Sequence, residues 1–334
     1  MNAFPNGQTP LNEEQMIEAM TAIMSGQVSD ESLADFLVNM AERGETVEEL
    51  TGAARVMREN AAKINAPYGS VDCCGTGGDK SGTYNISTAV AIVAASCGVN
   101  VAKHGNRASS SKSGAADVLE VLGVNLNAPQ EHLEQALNLY HFAFLMAPNH
   151  HQAMKHVAKV RKELGRRTIF NLLGPLANPA GTRHQLLGVY DQKWVTPMAE
   201  TLKNLGTKSA WVVHGSDGLD EITITGPTHI AKLDHEGKIQ ESTITPDDFG
   251  LQQHAGEKII GGDAMQNAQA LRAVLEGQKC AYRDIVLANT AALLIIAGKA
   301  DDLVKAAQIA ANALDQGLAN QTLKDYIAFS REAE

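Results

Sequence analysis

The sequence predicts an α/β protein with a small N-terminal α-helical domain and a large α/β domain whose mostly parallel central sheet is flanked by helices. Three observations support this fold class. Residues 1–65 carry only helical periodicity, and from Val71 onward short apolar runs typical of strands alternate with helical segments. Such alternation is typical of a parallel sheet covered on both faces. A chain of 334 residues also has the length of about two domains.

The helical domain is predicted to span residues 1–66 and to contain three helices. Each begins at a side chain that can cap a helix, and these are Asn12, Ser29 and Thr46. In the first and third helices a Gln or Glu follows three residues after the cap, which is the pattern of a capping box. Gly26 and Gly44 are expected to end the first two helices, and the third is expected to run to about Lys63.

The large domain is predicted to span residues 67–334. Its strands are predicted at 71–74, 100–103, 142–146, 185–190, 209–214, 221–225 and 228–233. Its helices are predicted at 85–97, 113–122, 128–140, 150–164, 194–205, 263–276, 281–297, 301–316 and 320–331. Residues 235–262 are the least patterned stretch and are expected to run over the surface. Because ligands bind beyond the carboxyl ends of parallel strands, the polar segments after these strands are the candidate site.

Composition excludes several functional classes. The net charge of −10 argues against a general nucleic-acid binder, although it permits a local phosphate site. No apolar run approaches the roughly 20 residues that span a bilayer. The start, MNAFPNGQTPLNEEQ, lacks the basic and apolar regions of a signal peptide. The four cysteines form no CxxC pair and no disulfide framework, so the expected location is the cytoplasm.

The first candidate anion site is Val71–Thr88, VDCCGTGGDKSGTYNIST, which reads as a strand, a glycine-rich loop and a helix start. Glycines at three of the four positions 75–78 let the backbone approach a ligand closely. The helix that follows presents unpaired N–H groups and its positive dipole end. Polar side chains that could hold phosphate, ribose hydroxyls or hydrated Mg²⁺ follow at Asp79, Asn85, Ser87 and Thr88. By itself, such a loop can also be an ordinary tight turn.

A second candidate anion site lies between Lys103 and Gly114. These twelve residues contain three cationic side chains, four serines and two glycines, after a predicted strand and before a predicted helix. Cationic side chains, hydroxyl groups and a helix N-terminus together form a cradle for an anion.

Two further segments complete the candidate site. Asp217-Gly218-Leu219-Asp220-Glu221 follows a predicted strand, where carboxylates suit Mg²⁺, although a solvated acidic turn remains open. In the basic segment 148–179, Arg161 lies ten residues after His151, close to three helical turns, so both could line one groove. No HExxH motif, nucleophile elbow or Ser-His-Asp set occurs, which indicates binding of anions and a metal rather than covalent catalysis.

Together these segments resemble the anthranilate phosphoribosyltransferases of tryptophan biosynthesis, within the nucleoside phosphorylase/phosphoribosyltransferase fold family. The matching pieces are GTGGD at 75–79, NIST at 85–88, KHGNR at 103–107, SKSGAADVLE at 111–120, VRKELGRRTIFNLLGPLANP at 160–179 and DGLDE at 217–221. The resemblance implies Mg²⁺-dependent transfer of the phosphoribosyl group of 5-phosphoribosyl 1-pyrophosphate to the amine of anthranilate. It also implies a cleft between the two domains, a homodimer formed through the α domain, and helices around 164–184 that join the small domain.

The same resemblance assigns the site residues, none of them a covalent catalyst. Phosphoribosyl pyrophosphate would contact Gly75, Gly78, Asp79, Thr83, Asn85, Ile86, Ser87, Thr88, Lys103, His104, Gly105, Asn106, Arg107, Ala108, Ser109, Ser110, Ser111 and Ala115. Anthranilate would contact Gly75, Asn106, His151, Arg161 and Gly174, with Arg161 facing its carboxylate, and Mg²⁺ would bind Ser87, Asp220 and Glu221. Ala115 replaces a serine that touches the 5-phosphate in many relatives, so a shift in affinity is expected.

Two alternatives remain open from the sequence. A pyrimidine nucleoside phosphorylase shares the architecture and would use inorganic phosphate. A non-catalytic paralogue could bind nucleic acid, but the intact GTGGD, KHGNR and DGLDE segments and the net charge of −10 oppose that reading.

Overall fold

The computed structural model describes residues 4–79, 81–108 and 112–333, and its centre is a seven-stranded sheet of order β3-β2-β1-β4-β5-β6-β7. The strands are β1 (Val71–Gly75), β2 (Val101–Gly105), β3 (Phe142–Met146), β4 (His184–Gly188), β5 (Ser209–Gly215), β6 (Thr228–Leu233) and β7 (Ile239–Ile244). Strands β1 to β5 pair with one another in parallel, whereas β6 pairs antiparallel with both β5 and β7. The prediction of a mostly parallel sheet is confirmed.

Three N-terminal helices precede the sheet, as predicted. They are α1 (Glu13–Met24), α2 (Asp30–Arg43) and α3 (Val47–Glu59). Asn12 and Thr46 form capping boxes, and the Ser29 side chain caps α2. Helix α3 ends at Glu59, before the predicted Lys63.

The other helices cover both faces of the sheet. They are α4 (Ile86–Ser96), α5 (Ala115–Leu122), α6 (Gln130–Tyr140), α7 (Ala147–His150), α8 (Lys155–Leu164), α9 (Phe170–Leu173), α10 (Val195–Asn204), α11 (Ala264–Leu275), α12 (Ala281–Ile296), α13 (Leu303–Asp315) and α14 (Leu318–Arg331). Short 3₁₀ turns lie at Gln152–Met154, Gly174–Leu176, Gln192–Trp194, Pro246–Phe249 and Gly256–Ile259. Across the described ranges, no helix has both the length and the apolar character needed to cross a membrane.

Three sequence predictions about the elements are wrong. Residues 221–225 are not a strand, because the buried Asn289 of α12 bonds both the N–H and the carbonyl of Ile222, at 2.9 and 2.8 Å. The predicted helix 150–164 is interrupted at His151, whose φ of −119° and ψ of 60° are not helical. Strand β7 lies within residues 235–262, for which no strand was predicted. Four of its six residues, in IQESTI, are exposed at the edge of the sheet, so the strand shows no alternation of apolar and polar residues.

Two hydrophobic clusters organise the packing. The larger one joins the sheet to α4, α5, α11, α12 and α14. The second combines the apolar faces of α1–α3 with Val157, Val160 and Phe170, and it continues to the sheet through Leu187 and Val212. The boundary between residues 66 and 67, and the joining of 164–184 to the small domain, stay predictions.

Candidate active site

The candidate site lies where β1, β4 and the loop after β5 meet at the carboxyl edge of the sheet. Gly75 ends β1 and Gly188 ends β4, and the two residues are paired across the ladder. A Cβ on Gly75 would overlap the carboxylate of Asp220, and a Cβ on Gly188 would overlap its backbone carbonyl. Glycine at both strand ends therefore allows Asp220 to sit directly above the sheet.

The GTGGD loop folds back over this edge. Gly77 and Gly78 have φ values of 68° and 74°, in the left-handed region that glycine adopts easily. The N–H of Gly77 donates to Oδ2 of Asp220 at 2.7 Å, and the N–H of Thr76 donates to the carbonyl of Gly188 at 2.9 Å. The loop is thus fixed to the acidic segment on one side, as a preorganised wall.

A buried lysine connects β1 to α4. Lys103 is only 2% exposed, and its Nζ donates to the Cys73 carbonyl at 2.7 Å and to Oγ of Ser87 at 3.1 Å. Burial raises the pKa of the Glu221 carboxyl well above its ordinary value, and the positive charge of Lys103 partly opposes that rise. Lys103 therefore lies among the side chains assigned to the donor and the metal.

The carboxylates near Lys103 repel one another. Burial, followed by the charge of Asp79, raises the pKa of Asp220 to about 7. Burial and the charge of Asp220 also raise the pKa of Glu221 well above its ordinary value. An added cation would relieve this repulsion, since it would stabilise both ionised carboxylates.

The chemistry of the donor set suits Mg²⁺. Within the ranges described, no group of three or more His, Cys, Asp or Glu side chains could hold a metal ion by itself. Ser87, Asp220 and Glu221 offer oxygen atoms, which Mg²⁺ prefers. Because Mg²⁺ keeps several waters and takes the remaining ligands from substrate phosphates, these residues fit it.

Asn85 joins the first candidate anion site to the second. It precedes α4, and its Nδ2 donates to the carbonyl of Ser113 at 3.3 Å. The neighbouring Ile86 is buried, and its N–H donates to the Tyr84 carbonyl at 2.9 Å, so that N–H is not free for an anion. The hydroxyl of Thr88 is buried and has no hydrogen-bond partner among the described residues.

The second loop is shaped by a residue that the sequence analysis missed, Asp117 of α5. Its Oδ2 accepts the N–H groups of Ala108 and Gly114, each at 2.9 Å. Arg107 donates to both carboxylate oxygens of Glu120 at 2.7 Å and to Asp117 at 3.2 Å, so its charge is engaged by α5. Ser109, Ser110 and Ser111 lie outside the described residues.

Of three other assigned residues, two lie at this second loop and one lies on the first. Asn106 follows β2 and is exposed, and its Oδ1 accepts the N–H of Arg107 at 2.7 Å. Gly105 ends β2, and a Cβ there would lie 2.7 Å from the ring of Phe144 and 3.5 Å from Ala115. Thr83, in the first loop, forms an isolated antiparallel bridge with Ile260.

The structure brings His104, His151 and Gly174 together. The rings of His104 and His151 are 5.2 Å apart between centroids, and the backbone of Gly174 hydrogen-bonds His104. Burial, followed by the charges of His151 and His150, lowers the pKa of His104 to about 3. In the described part of the chain, the Nε2 atoms of His104, His150 and His151 are buried and have no hydrogen-bond partner. A Cβ on Gly174 would meet nothing within 4 Å, so space is open beside it.

Arg161 of α8 carries a desolvated charge. Its guanidinium lies over the ring of Phe170, 5.3 Å from the centroid, and burial lowers its pKa. Considering only the residues that the structure describes, this guanidinium makes no ion pair or hydrogen bond. A desolvated guanidinium of this kind is suited to a carboxylate ligand.

Two further residues near the site, Arg167 and Asp72, were not identified from the sequence. Arg167 donates to the Gly78 carbonyl while its guanidinium lies 3.7 Å from the centroid of the Tyr190 ring, which ties residues after α8 to the GTGGD loop. Asp72 is fully buried in β1, where it accepts from Asn178 Nδ2 at 2.7 Å and from the N–H of His104 at 3.3 Å. A charged residue inside an apolar strand is a signal that could have identified Asp72.

Comparison with known proteins places this geometry in a family. The chain matches the glycosyl transferase family, with a helical bundle domain at residues 6–61 and an a/b domain at residues 68–320. It is 57% identical over 319 residues to an anthranilate phosphoribosyltransferase of Rhodospirillum rubrum, covering 96% of this chain and 92% of that protein. A similar enzyme of Paramagnetospirillum magneticum is 53% identical, with 96% and 92% covered.

Solved structures agree. The crystal structure of anthranilate phosphoribosyltransferase from Thermus thermophilus superposes with a TM-score of 0.92 at 43% identity, covering 97% of each chain. The enzyme from Saccharomyces cerevisiae in complex with PRPP and Mg superposes with a TM-score of 0.88 at 28% identity, covering 96% of this chain and 94% of that one. The chain therefore belongs to the anthranilate phosphoribosyltransferase family.

Proposed function

We infer that the protein transfers the phosphoribosyl group of 5-phosphoribosyl 1-pyrophosphate to the amine of anthranilate, giving N-(5-phosphoribosyl)anthranilate and pyrophosphate in tryptophan biosynthesis. Beside the family relationship, one observation carries this conclusion. The GTGGD loop is fixed to Asp220 by the 2.7 Å bond from Gly77, and the buried Lys103 bonds the carbonyl of Cys73 in the strand that leads into this loop. That arrangement combines an anion-binding wall with carboxylates that require a cation.

The donor side is proposed to consist of the two loops and the N-terminus of α4. Lys103 would supply positive charge to the pyrophosphate, because its ammonium is already desolvated and fixed by Cys73 and Ser87. Ser87, Asp220 and Glu221 would hold Mg²⁺, which when bound supplies positive charge to the leaving group. Asp117 would keep the second loop in shape through its bonds to two backbone N–H groups.

The acceptor side is proposed to lie around Arg161, His151 and Gly174. The desolvated guanidinium of Arg161 would bind the carboxylate of anthranilate. With a pKa of about 3, His104 is neutral at physiological pH and would not compete with Arg161 for that carboxylate. Because an aromatic amine is also neutral there, the main task of these residues is orientation, which can lower the barrier by roughly 7–11 kcal/mol.

The reaction is a displacement at C1 of the ribose. The C–O bond to pyrophosphate breaks as the amine nitrogen forms its bond to C1, and the amine then loses a proton to solvent. Positive charge develops on the sugar and negative charge on the leaving group. Preorganised groups such as Lys103 and the loop backbone stabilise that charge without reorganising.

A fluorescence assay of anthranilate consumption tests the proposal. The purified protein should consume anthranilate only when phosphoribosyl pyrophosphate and Mg²⁺ are both present. Omission of either one, or addition of excess EDTA, should stop the reaction. Phosphate-dependent release of base from thymidine or uridine, with no consumption of anthranilate, would instead identify a pyrimidine nucleoside phosphorylase.

A homodimer joined through α1–α3 and a cytoplasmic location belong to this proposal. Both are supported by the family resemblance and, for the location, by the cysteine pattern. The large apolar side chains that are exposed among the described residues all lie outside α1–α3, and they are Tyr68, Val121, Leu139, Ile260, Met265, Val304, Ile309 and Leu318. The proposed interface would therefore be of mixed polarity, and sedimentation equilibrium of the purified chain should give twice its mass of 35.5 kDa.

A further inference from the structure

The loop that carries the first anion site is supported from behind by a distant segment of the chain. Gly261 donates its N–H to the carbonyl of Gly82 at 2.8 Å, and Tyr84 donates its N–H to the carbonyl of Ile259 at 3.1 Å. Thr83 and Ile260 form the antiparallel bridge between these bonds. Residues 259–262 therefore act as a short extra strand along residues 82–84, at the entry to α4.

Asn267 closes this contact from α11. It is only 1% exposed, its Oδ1 accepts the N–H of Gly262 at 2.7 Å, and its Nδ2 donates to Oδ1 of Asn85 at 2.9 Å. A Cβ on Gly261 would lie 2.7 Å from Oδ1 of Asn267 and 2.7 Å from the carbonyl of Thr83, so only glycine fits between them. One buried side chain thus joins the supporting segment to the residue before α4.

This bond is the shortest of the described bonds that orient the Asn85 amide. Oδ1 of Asn85 accepts from Nδ2 of Asn267 at 2.9 Å and from the hydroxyl of Ser113 at a longer 3.4 Å, while Nδ2 of Asn85 donates to the carbonyl of Ser113 at 3.3 Å. The backbone of Asn85 is held separately, by the hydroxyl of Tyr282 at 3.0 Å. Among the described residues, the loss of Asn267 would therefore leave the Asn85 amide held only by its two longer contacts with Ser113, and would weaken its link to the second anion loop while the backbone remains anchored.

We propose that Asn267 is a positioning residue for the phosphoribosyl donor: it fixes the Asn85 amide and thereby the relative placement of the two anion loops. The inference rests on the proposed function, because it assigns both loops to that donor. Asn267 acts through Asn85, since both ends of its amide are used within the protein. Its effect should therefore appear in donor binding and not in anthranilate binding.

Two variants isolate this role. Asn267→Asp keeps the size of the side chain and the acceptor for Gly262, but it places a carboxylate oxygen against Oδ1 of Asn85, so the Asn85 amide must turn over. Asn267→Ser removes the contact without adding charge, and it supplies the measurement if the aspartate variant does not fold. The control is Val274→Ala, which creates a cavity in the same helix, where Val274 is 1% exposed.

The readouts are the Kd of phosphoribosyl pyrophosphate with Mg²⁺ by isothermal titration calorimetry, the KM of each substrate, and the melting temperature. We expect at least a tenfold higher Kd and donor KM for Asn267→Asp, with an anthranilate KM within twofold of the wild type. Val274→Ala should melt at a lower temperature and bind the donor within twofold of the wild type.

The outcomes separate this inference from the proposed function. If the wild type binds the donor and turns over anthranilate, but Asn267→Asp and Asn267→Ser bind the donor within twofold of it, only the positioning role is overturned. A loss of donor affinity in Val274→Ala equal to that in Asn267→Asp would also overturn it, because general destabilisation of α11 would then explain both. A wild type that neither binds the donor nor consumes anthranilate would overturn the proposed function and this role together.

Discussion

Gly188→Ala should disable the enzyme through one methyl group. A Cβ at this position would overlap the carbonyl carbon and oxygen of Asp220 and lie 3.1 Å from its Cα. Gly188 cannot retreat, because it is paired in the parallel ladder with Gly75 on one side and Val213 on the other. The segment around Asp220 must therefore move by on the order of 1 Å, and the bond from Gly77 must lengthen or break.

The expected loss follows from this displacement. A misplacement of about 1 Å in an active site can lower the rate roughly 10²-fold, which corresponds to about 2.7 kcal/mol of transition-state stabilisation. Overpacking should also lower the free energy of unfolding by about 1–3 kcal/mol. Since the φ of Gly188 does not lie in the left-handed region, the alanine adds no backbone penalty of its own.

Steady-state kcat/KM for anthranilate, together with urea unfolding of the same preparation, measures both effects. The matched control is Gly256→Ala, whose Cβ would lie at an ordinary 3.8 Å from Cγ2 of Thr225, so its activity should stay within twofold of the wild type. Wild-type kcat/KM in a folded Gly188→Ala protein would refute the reasoning, because it would show that Asp220 need not sit against β4.

Three further predictions concern the carboxylates, the guanidinium and the buried histidine. Replacement of Asp220 and Glu221 together by alanine should abolish the response of turnover to Mg²⁺ and lower the rate roughly 10²-fold or more. If turnover of this double variant responded to Mg²⁺ as in the wild type, the two carboxylates would not belong to the metal site. Arg161→Ala should raise the KM of anthranilate roughly 10- to 100-fold by loss of a charged hydrogen bond, and it should leave the donor KM unchanged. Replacement of the neighbouring exposed residue, Lys162→Ala, should change neither KM. An unaltered anthranilate KM in Arg161→Ala would contradict the proposed role of Arg161. The pKa of His104 is lowered to about 3 in the folded protein, so as the pH falls below about 6.5 the unfolded chain binds a proton at this residue and the folded chain does not. This difference should lower the free energy of unfolding by about 2 kcal/mol between pH 7 and pH 5. In urea titrations at both pH values, His104→Gln should show that much less acid destabilisation, and an equal pH dependence in both proteins would contradict a neutral buried His104.

Part of the candidate site was accessible from the sequence because its signals are local. Glycines at 77 and 78 adopt the left-handed backbone that the loop requires. The strand-loop-helix order around GTGGD and KHGNR leads both segments to the same edge of a parallel sheet. The geometry there brings Asp220 to within a hydrogen bond of Gly77, across 143 positions in the chain.

The supporting residues were not accessible in this way. Asp117, Arg167 and Asn267 belong to segments that read as ordinary helix or loop, and each acts through a contact with a residue distant in sequence or with the backbone of a loop. The 221–225 stretch has the alternation of a strand, yet Asn289 takes its backbone hydrogen bonds. Long-range hydrogen bonds of this kind leave no period in the sequence.

The helical caps at Asn12 and Thr46, the parallel sheet, and the two loops that carry glycines and charge follow from local patterns in the sequence. Each of these depends on φ/ψ preferences, capping chemistry or periodicity within a few residues. Three other features required the folded structure: Gly188 makes room for Asp220, polar β7 completes the sheet edge, and Asn267 supports Asn85. These features depend on which distant surfaces come into contact, and that is settled only when the hydrophobic clusters pack.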